Sequence, residues 1–276
     1  MLPKAAGNDF LGRFREIISD PLNLLIPRHP KAGAVEGDLV YLHNGHCVPL
    51  RGEGAYYGDF SDIFVINRGV HEPVEEYVFQ QVMERLPDAP VMLELGAYWA
   101  HYSMWMKQCR PNSTAYLVEP DKAHLEAGKA NFHRHHYEGE FIQAFVGSGA
   151  FGIDDFLSER NISHLNILHS DIQGCEVEML KDSNKSLASH AIDFLLISTH
   201  SQQIHKDVVE TMYYHGYRVE VSCDFEGETT SFDGFVFATS PLIPRLFNNF
   251  TPMTRVDICH ASPKNLIDFV VRAIAE

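Results

Sequence analysis

The chain has 276 residues, 45% of them hydrophobic, and 22 Lys and Arg against 37 Asp and Glu give a net charge of −15. That length suits one large α/β domain with a small elaboration, and the acidic balance argues against tRNA, rRNA, DNA or an anionic membrane as partner. Five scattered cysteines without a C-x-x-C pair, and no apolar run of 18 residues, point to reduced thiols in a cytoplasmic protein without a membrane span.

Residues 8–19 predict an amphipathic helix capped by Asn8, with Phe10, Leu11, Phe14, Ile17 and Ile18 on one face. It packs on the domain or meets another subunit, and the charges inside it do not suit a secretory signal. Residues 37–50 read as a hairpin about Asn44-Gly45, the pair favoured in a type I′ turn. The stretch 51–72, rich in glycine and in Tyr56, Tyr57, Phe60 and Phe64, has no core role in this reading and is expected to cap a site. Val74, Val78, Val82 and Leu86 recur every four residues and predict a helix from Glu72. His71-Glu72-Pro73 reads as its start, or lies over the site.

Strands are expected at 90–95, 115–119, 140–146, 165–170, 193–199, 217–222 and 234–239. Helices are expected at 101–109, 121–135, 154–160, 173–182 and 203–215. This alternation implies a mostly parallel sheet with helices on both faces. The last two strands are joined by a polar loop with no room for a helix, so they should pair antiparallel. Residues 241–276 end in the helix-like NLIDFVVRAIA. The fold class is therefore α/β: a Rossmann-like, seven-stranded, mostly parallel sheet with a terminal antiparallel strand pair, plus an N-terminal helix and hairpin cap. The terminal helices offer surfaces for a homo-oligomer.

The first strand, a turn, a helix and a second strand closing on Glu119 form a βαβ nucleotide cradle within residues 90–121. Gly96 lets the backbone turn tightly against a ligand, and a carboxylate at the second strand end can bind two ribose hydroxyls. The G-x-G-x-x-G phosphate fingerprint would need glycines where this chain has Tyr98 and His101. Glu94 adds negative charge where a pyrophosphate would sit. These features disfavour a nicotinamide dinucleotide and suit a nucleoside carrying an amino-acid cation, S-adenosylmethionine.

Three separated motifs carry a resemblance: Glu94-Leu95-Gly96-Ala97-Tyr98-Trp99-Ala100-His101-Tyr102-Ser103, then Val118-Glu119-Pro120-Asp121, and Asp171-Ile172-Gln173-Gly174-Cys175-Glu176 after IDDFL. In this order they resemble the FkbM family of S-adenosylmethionine-dependent methyltransferases over roughly residues 70–240. Ala100 stands for the family's second glycine, Tyr98 for a small polar residue and Gln173 for a glutamate. The link from the third strand to IDDFL is short, Gly147 to Gly152, which removes part of a substrate wall. The resemblance implies S-adenosylmethionine as cofactor, bound through Glu94, Gly96, Ala97, Tyr98, Tyr102, Ser103, Glu119, Pro120, Val146 and Asp171. The order of expected elements along the chain divides it into an N-terminal cap and possible substrate lid (1–72), a cofactor-binding methyltransferase domain (73–240) and a helical extension (241–276).

Strand ends bring Asp171, His169 and His200 to the expected site. Histidine suits removal of a proton from a hydroxyl acceptor, with His200 placed before His169, and Asp171 acts directly or orients the histidine. Asp171 could instead cap the next helix, and either histidine could be a core residue. No metal is required, although Asp171, His169 and His200 would suit a transition ion better than magnesium. Consecutive residues of His133-Arg134-His135-His136 point in different directions on a helix and make a poor metal site. The function expected is O-methylation of a small-molecule hydroxyl on a sugar, lipid-linked saccharide or polyketide-like acceptor. N-methylation and a non-catalytic S-adenosylmethionine-binding module are the alternatives.

Overall fold

The computed structural model describes residues 9–147, 150–225 and 227–275. Helix α1 (Phe10–Ser19) is capped by Asp9, whose side chain accepts from the Gly12 amide at 2.9 Å, and Asn8 lies outside the described residues. Phe14 and Ile17 are buried, and the rings of Phe10 and Phe14 lie 5.8 and 5.4 Å from Phe60, so α1 packs on its own domain. A three-stranded antiparallel sheet follows, of β1 (Val35–Glu36), β2 (Leu39–Tyr41) and β3 (Cys47–Pro49). Tyr41 pairs with Cys47, so the connection is wider than the expected two-residue type I′ turn, and Asn44 has no positive φ. The loop widens because Leu42, His43 and His46 turn inward and are buried. Helix α2 (Asp62–Ile66) and the turn before it bury Phe60, Ile63 and Phe64, which corrects the reading of 51–72 as a segment without a core role.

The main domain runs α3 (Pro73–Arg85), β4 (Val91–Leu95), α4 (His101–Cys109), β5 (Thr114–Val118), α5 (Lys122–Arg134) and β6 (Glu140–Ile142). It continues with α6 (Ile153–Glu159), β7 (Leu165–Ser170), α7 (Glu176–Lys181), α8 (Asn184–Ala188), β8 (Ile192–Thr199) and α9 (Gln202–Tyr214). The strands β9 (Arg218–Cys223) and β10 (Gly234–Thr239) and the helices α10 (Arg255–His260) and α11 (Pro263–Ala275) complete it. The seven-stranded sheet has the order β6-β5-β4-β7-β8-β10-β9, parallel except for β10, which runs antiparallel to both neighbours. Two expected elements are shorter. β6 ends at Ile142 on the sheet edge, with Val146 returning only as a single bridge to Phe151. α7 starts at Glu176 because Gln173 (φ +55°) and Gly174 (φ +107°) hold a left-handed loop before it.

Strand alternation sorts side chains onto two faces. On β4, Met92 joins the core beneath α3, α4 and the cap, while Leu93 and Leu95 join the core beneath α6, α7 and α9. Ile167 and Leu168 of β7 and Phe194 and Leu195 of β8 divide in the same way. Polar residues take over the α3 face at the C-terminal strand ends: Glu94 on β4 pairs in register with His169 on β7, and Ser198 lies on β8. The sheet is thus apolar through its middle and polar at the rim where a ligand would enter.

Gly96 holds that rim together. Its φ is +71°, and a Cβ there would lie 1.8 Å from the Asp171 carbonyl oxygen, closer than any contact allows. Gly96→Ala should therefore push the β4 turn away from the loop after β7 and cost about 3 kcal/mol or more in urea unfolding. A variant with parental stability would show that the two loops can separate freely.

Candidate active site

Strand order reverses between β4 and β7, because the crossovers from β4 and β7 leave to opposite sides, and a crevice opens at their C-terminal ends. A cavity of about 350 Å³ occupies it, a size in the usual range for small-ligand sites. Of the residues expected from sequence, Glu94, Gly96, Ala97, Tyr98, Tyr102, Glu119, Pro120, Val146, His169 and Asp171 line this cavity. Ser103 lies buried beneath it, and His200 stands behind Asp171 without reaching the cavity wall.

The turn after β4 is unusually contorted. Tyr98 (φ +41°) and Ala100 (φ +67°) join Gly96 in the left-handed region. For Ala100 the cost of about 1–2 kcal/mol is partly offset by the burial of its methyl group, worth about 0.8 kcal/mol. Tyr98 gains specific contacts. Its hydroxyl donates to the Ala55 carbonyl (2.9 Å) and accepts from the Tyr57 amide (3.1 Å), and its ring lies 4.0 Å from that of His124. The bulky side chain thus ties the cofactor turn to the aromatic segment above it.

Three carboxylates organise the cavity. Glu119 accepts from the Tyr98 amide through Oε2 (3.1 Å) and from the Asp121 amide through Oε1 (2.9 Å), which fixes its orientation. Glu94 accepts from the Ser103 amide at 3.1 Å and from the Tyr102 amide, so these helix N–H groups are already satisfied by the protein. Burial raises the Glu94 pKa, and the His169 charge and those amides work against the rise. Asp171 does not cap α7, whose N-cap is Cys175; its Oδ1 lies 3.1 Å from His200 Nε2 instead. Burial works against the Asp171 charge, but the hydrogen bond and charge of His200 outweigh it and hold the carboxyl below its usual range.

His200 is surrounded by acid. Its Nδ1 is 2.5 Å from Glu176 Oε1, and its Nε2 is 3.7 Å from Asp233 Oδ1 as well as close to Asp171. Burial alone would lower its pKa, yet these partners raise it to about 11. His200 is an imidazolium at neutral pH and orients carboxylates. His169 donates through Nε2 to Glu75 Oε1 at 2.5 Å, while Ser198 donates to Glu75 Oε2 at 2.7 Å. Burial opposes its charge, and Glu75 raises its pKa nonetheless.

Glu72, expected at a helix start or over the site, is found at both. It is the N-cap of α3 by backbone, but its side chain makes no cap hydrogen bond and turns to the cavity, where Tyr102 donates to Oε2 at 2.8 Å. Burial, then the neighbouring charges of Glu75 and Asp171, raise its pKa to about 8 against the pull of His71. Glu72 and Asp171 also line a second cavity of about 180 Å³, together with Arg13, Tyr56, Tyr57 and Asp233. The two cavities share Tyr56, Tyr57, His71, Glu72, Asp171 and Gln173, which therefore form the partition between them. Asp171, His169 and His200 do not converge as a ligand set: His169 turns to Glu75 and His200 to Glu176.

The family model for the methyltransferase FkbM domain matches residues 54–219, more than half of the chain. No curated relative matches the sequence. Among solved structures, the chain is similar to precorrin-6y C5,15-methyltransferase from Geobacter metallireducens GS-15 at 17% identity, with 60% of this chain and 86% of that chain covered and a TM-score of 0.45. It is also similar to M. capricolum TrmK in complex with S-adenosyl-homocysteine (12% identity, 72% and 83% covered, TM-score 0.44). A third likeness is to a ribosomal protein L11 methylase from Lactobacillus delbrueckii subsp. bulgaricus (6% identity, 62% and 80% covered, TM-score 0.44). Likenesses of this size say nothing about the acceptor. The domain match, on a sheet with its crevice at Gly96 and Glu119, places this chain in the FkbM family of methyltransferases, with S-adenosylmethionine as cofactor.

Proposed function

We propose that the protein transfers a methyl group from S-adenosylmethionine to a hydroxyl of a small-molecule acceptor, a sugar, lipid-linked saccharide or polyketide-like compound. The observation that carries this reading is the partition: Glu72 and Asp171 face a cofactor-sized cavity on one side and a smaller cavity on the other. The cofactor cavity fits its ligand in chemistry as well as size. Gly96 allows close backbone approach, Glu119 offers a fixed carboxylate for ribose hydroxyls, and buried Glu94 offers a negative group for an ammonium. Bound there, S-adenosylmethionine supplies a methyl carbon activated by a sulfonium.

The protein's own task is alignment and removal of one proton. Asp171, kept ionised by His200, accepts a hydrogen bond from the acceptor hydroxyl and aims its oxygen. Glu72, with its pKa near working pH, takes the proton as the oxygen–carbon bond forms. His200 is a positioning residue that acts through Asp171. Tyr56 and Tyr57 stack on the acceptor, and the lid narrows to the exposed residues 51–53 and 58–59, since Ala55 is buried and tied to Tyr98 and Phe60 onward is core. An amine acceptor is the second reading, favoured by the carboxylates of Glu72, Asp171 and Asp233 around the smaller cavity. The net charge of −15 favours a small acceptor over nucleic acid. Among the described residues, no helix is long and apolar enough to cross a membrane, and the five free cysteines suit a reducing compartment such as the cytoplasm.

Glu119→Ala should weaken S-adenosylhomocysteine binding in calorimetry by about 1.5–3 kcal/mol, roughly 10- to 150-fold in Kd. Unchanged affinity would remove Glu119 from the ribose site.

A proton acceptor works only as the carboxylate. With Glu72 raised to about 8, kcat/KM should increase as pH rises through that value, and Glu72→Gln should flatten the profile while cutting the rate about 100-fold. A parental profile in Glu72→Gln would pass the proton to another group.

Tyr57 is 49% exposed at the edge of both cavities. Tyr57→Ala should raise the acceptor KM about tenfold with cofactor affinity unchanged. Equal changes in both would mean that the segment supports the cofactor turn and does not cover the acceptor.

A further inference from the structure

Below the cofactor turn, three elements bring ligating side chains into one buried cluster. His43 comes from the loop between β2 and β3, Glu76 from the first turns of α3, and His101 is the first residue of α4. One ligand atom from each lies within 4.8 Å of the others, and all three residues are buried. Among the described residues this is the one group of His, Cys, Asp and Glu that converges so.

The hydrogen bonding around the cluster is incomplete in a directed way. Glu76 Oε1 is held by the amides of His71 (2.8 Å) and Glu72 (3.1 Å), and His71 Nδ1 lies 2.7 Å away. Its other oxygen, Oε2, has no hydrogen-bond partner and faces His43 Nε2 at 3.1 Å. The His43 ring bonds to the Pro27 carbonyl, which fixes its proton on Nδ1 and leaves Nε2 bare. A lone pair therefore faces a carboxylate oxygen at contact distance, an arrangement that is repulsive unless a cation lies between them. His101 adds two ring nitrogens with no partner, although it is only 3% exposed.

We propose that His43, Glu76 and His101 bind a divalent transition-metal ion, zinc by donor type, that pins the β2–β3 loop to α3 and to the start of α4. Two imidazoles and one carboxylate form a donor set for zinc or its first-row neighbours, whereas magnesium prefers oxygen alone. The outer contacts are those of a prepared site: Pro27 orients His43, and two backbone amides orient Glu76. His43 also borders a surface groove with Gln80 and Trp105, which gives an ion a route in. The role is structural. Because His101 directly follows the Tyr98–Ala100 turn and itself lines the cofactor cavity, the ion would brace that wall while taking no part in methyl transfer.

The test uses the untagged full chain, stripped with a chelator, dialysed and titrated with Co²⁺ as the probe. Visible d–d absorption should grow to saturation at about one ion per chain, and the melting temperature should rise by several degrees. Zn²⁺ should displace the colour, and the protein purified without a chelator should carry about one equivalent of metal by elemental analysis. Glu76→Gln, which keeps the acceptor for the two amides, and His43→Gln should lose the colour, whereas changing His133 and His136 should leave it intact. The proposal is overturned if the unmodified chain takes up no Co²⁺ and shows no thermal shift, a result that needs no variant to fold. It is equally overturned if the Glu76 and His43 variants bind the ion as the parent does.

Discussion

The constraint on which the site depends is the burial of charge at the C-terminal rim of the sheet. Glu75, Glu76, Glu94, Glu119 and Glu176 are buried there with Glu72 and Asp171 half-buried beside them, and each desolvated carboxylate must find a proton, a cation or backbone amides. The solutions differ by place. Glu94 and Glu119 take backbone amides, Glu75 takes His169 and Ser198, and Asp171 and Glu176 share His200. Glu72 receives only Tyr102 and His71, and its proton affinity rises accordingly. The same desolvation that threatens the fold thus produces one carboxyl poised near neutral pH and one held ionised.

This division makes chemical sense of the histidines. A histidine set among Asp171, Glu176 and Asp233 has its pKa raised to about 11 by these partners, and in the proposed reaction it stabilises the aspartate that faces the cavity. In the proposed reaction catalytic work falls to carboxylates, with the imidazolium providing charge and orientation. The aromatic segment completes the partition, because Tyr98 clamps residues 55 and 57 to the cofactor turn.

Much of the fold was legible from period and punctuation. The apolar runs at 90–95, 115–119, 165–170 and 193–199 lie in the sheet interior, where packing agrees with propensity, and β4, β5, β7 and β8 stand close to where periodicity put them. Edge and loop features were less legible. The third strand was read too long because nothing local marks where an edge strand loses its partner, and Asn44-Gly45 suggested a tight turn that buried Leu42, His43 and His46 override. The segment 51–72 looked like a pure cap because glycines and tyrosines conceal the core contribution of Phe60, Ile63 and Phe64.

The cavity wall was legible where a strand end fixes a side chain, as at Glu94, Glu119 and Asp171. What sequence could not give is orientation. Glu72 reads as a helix start before it reads as a site residue, and the fold turns it toward Asp171; Glu76 lies one helical turn on, where it meets histidines from two other elements. A crystal structure of the complex with S-adenosylhomocysteine would show directly how the cofactor lies against these carboxylates. The ribose hydroxyls should lie on Glu119, with the sulfur pointing at the partition formed by Glu72 and Asp171. A sulfur directed away from that partition, or a ribose that does not meet Glu119, would contradict the proposed reaction.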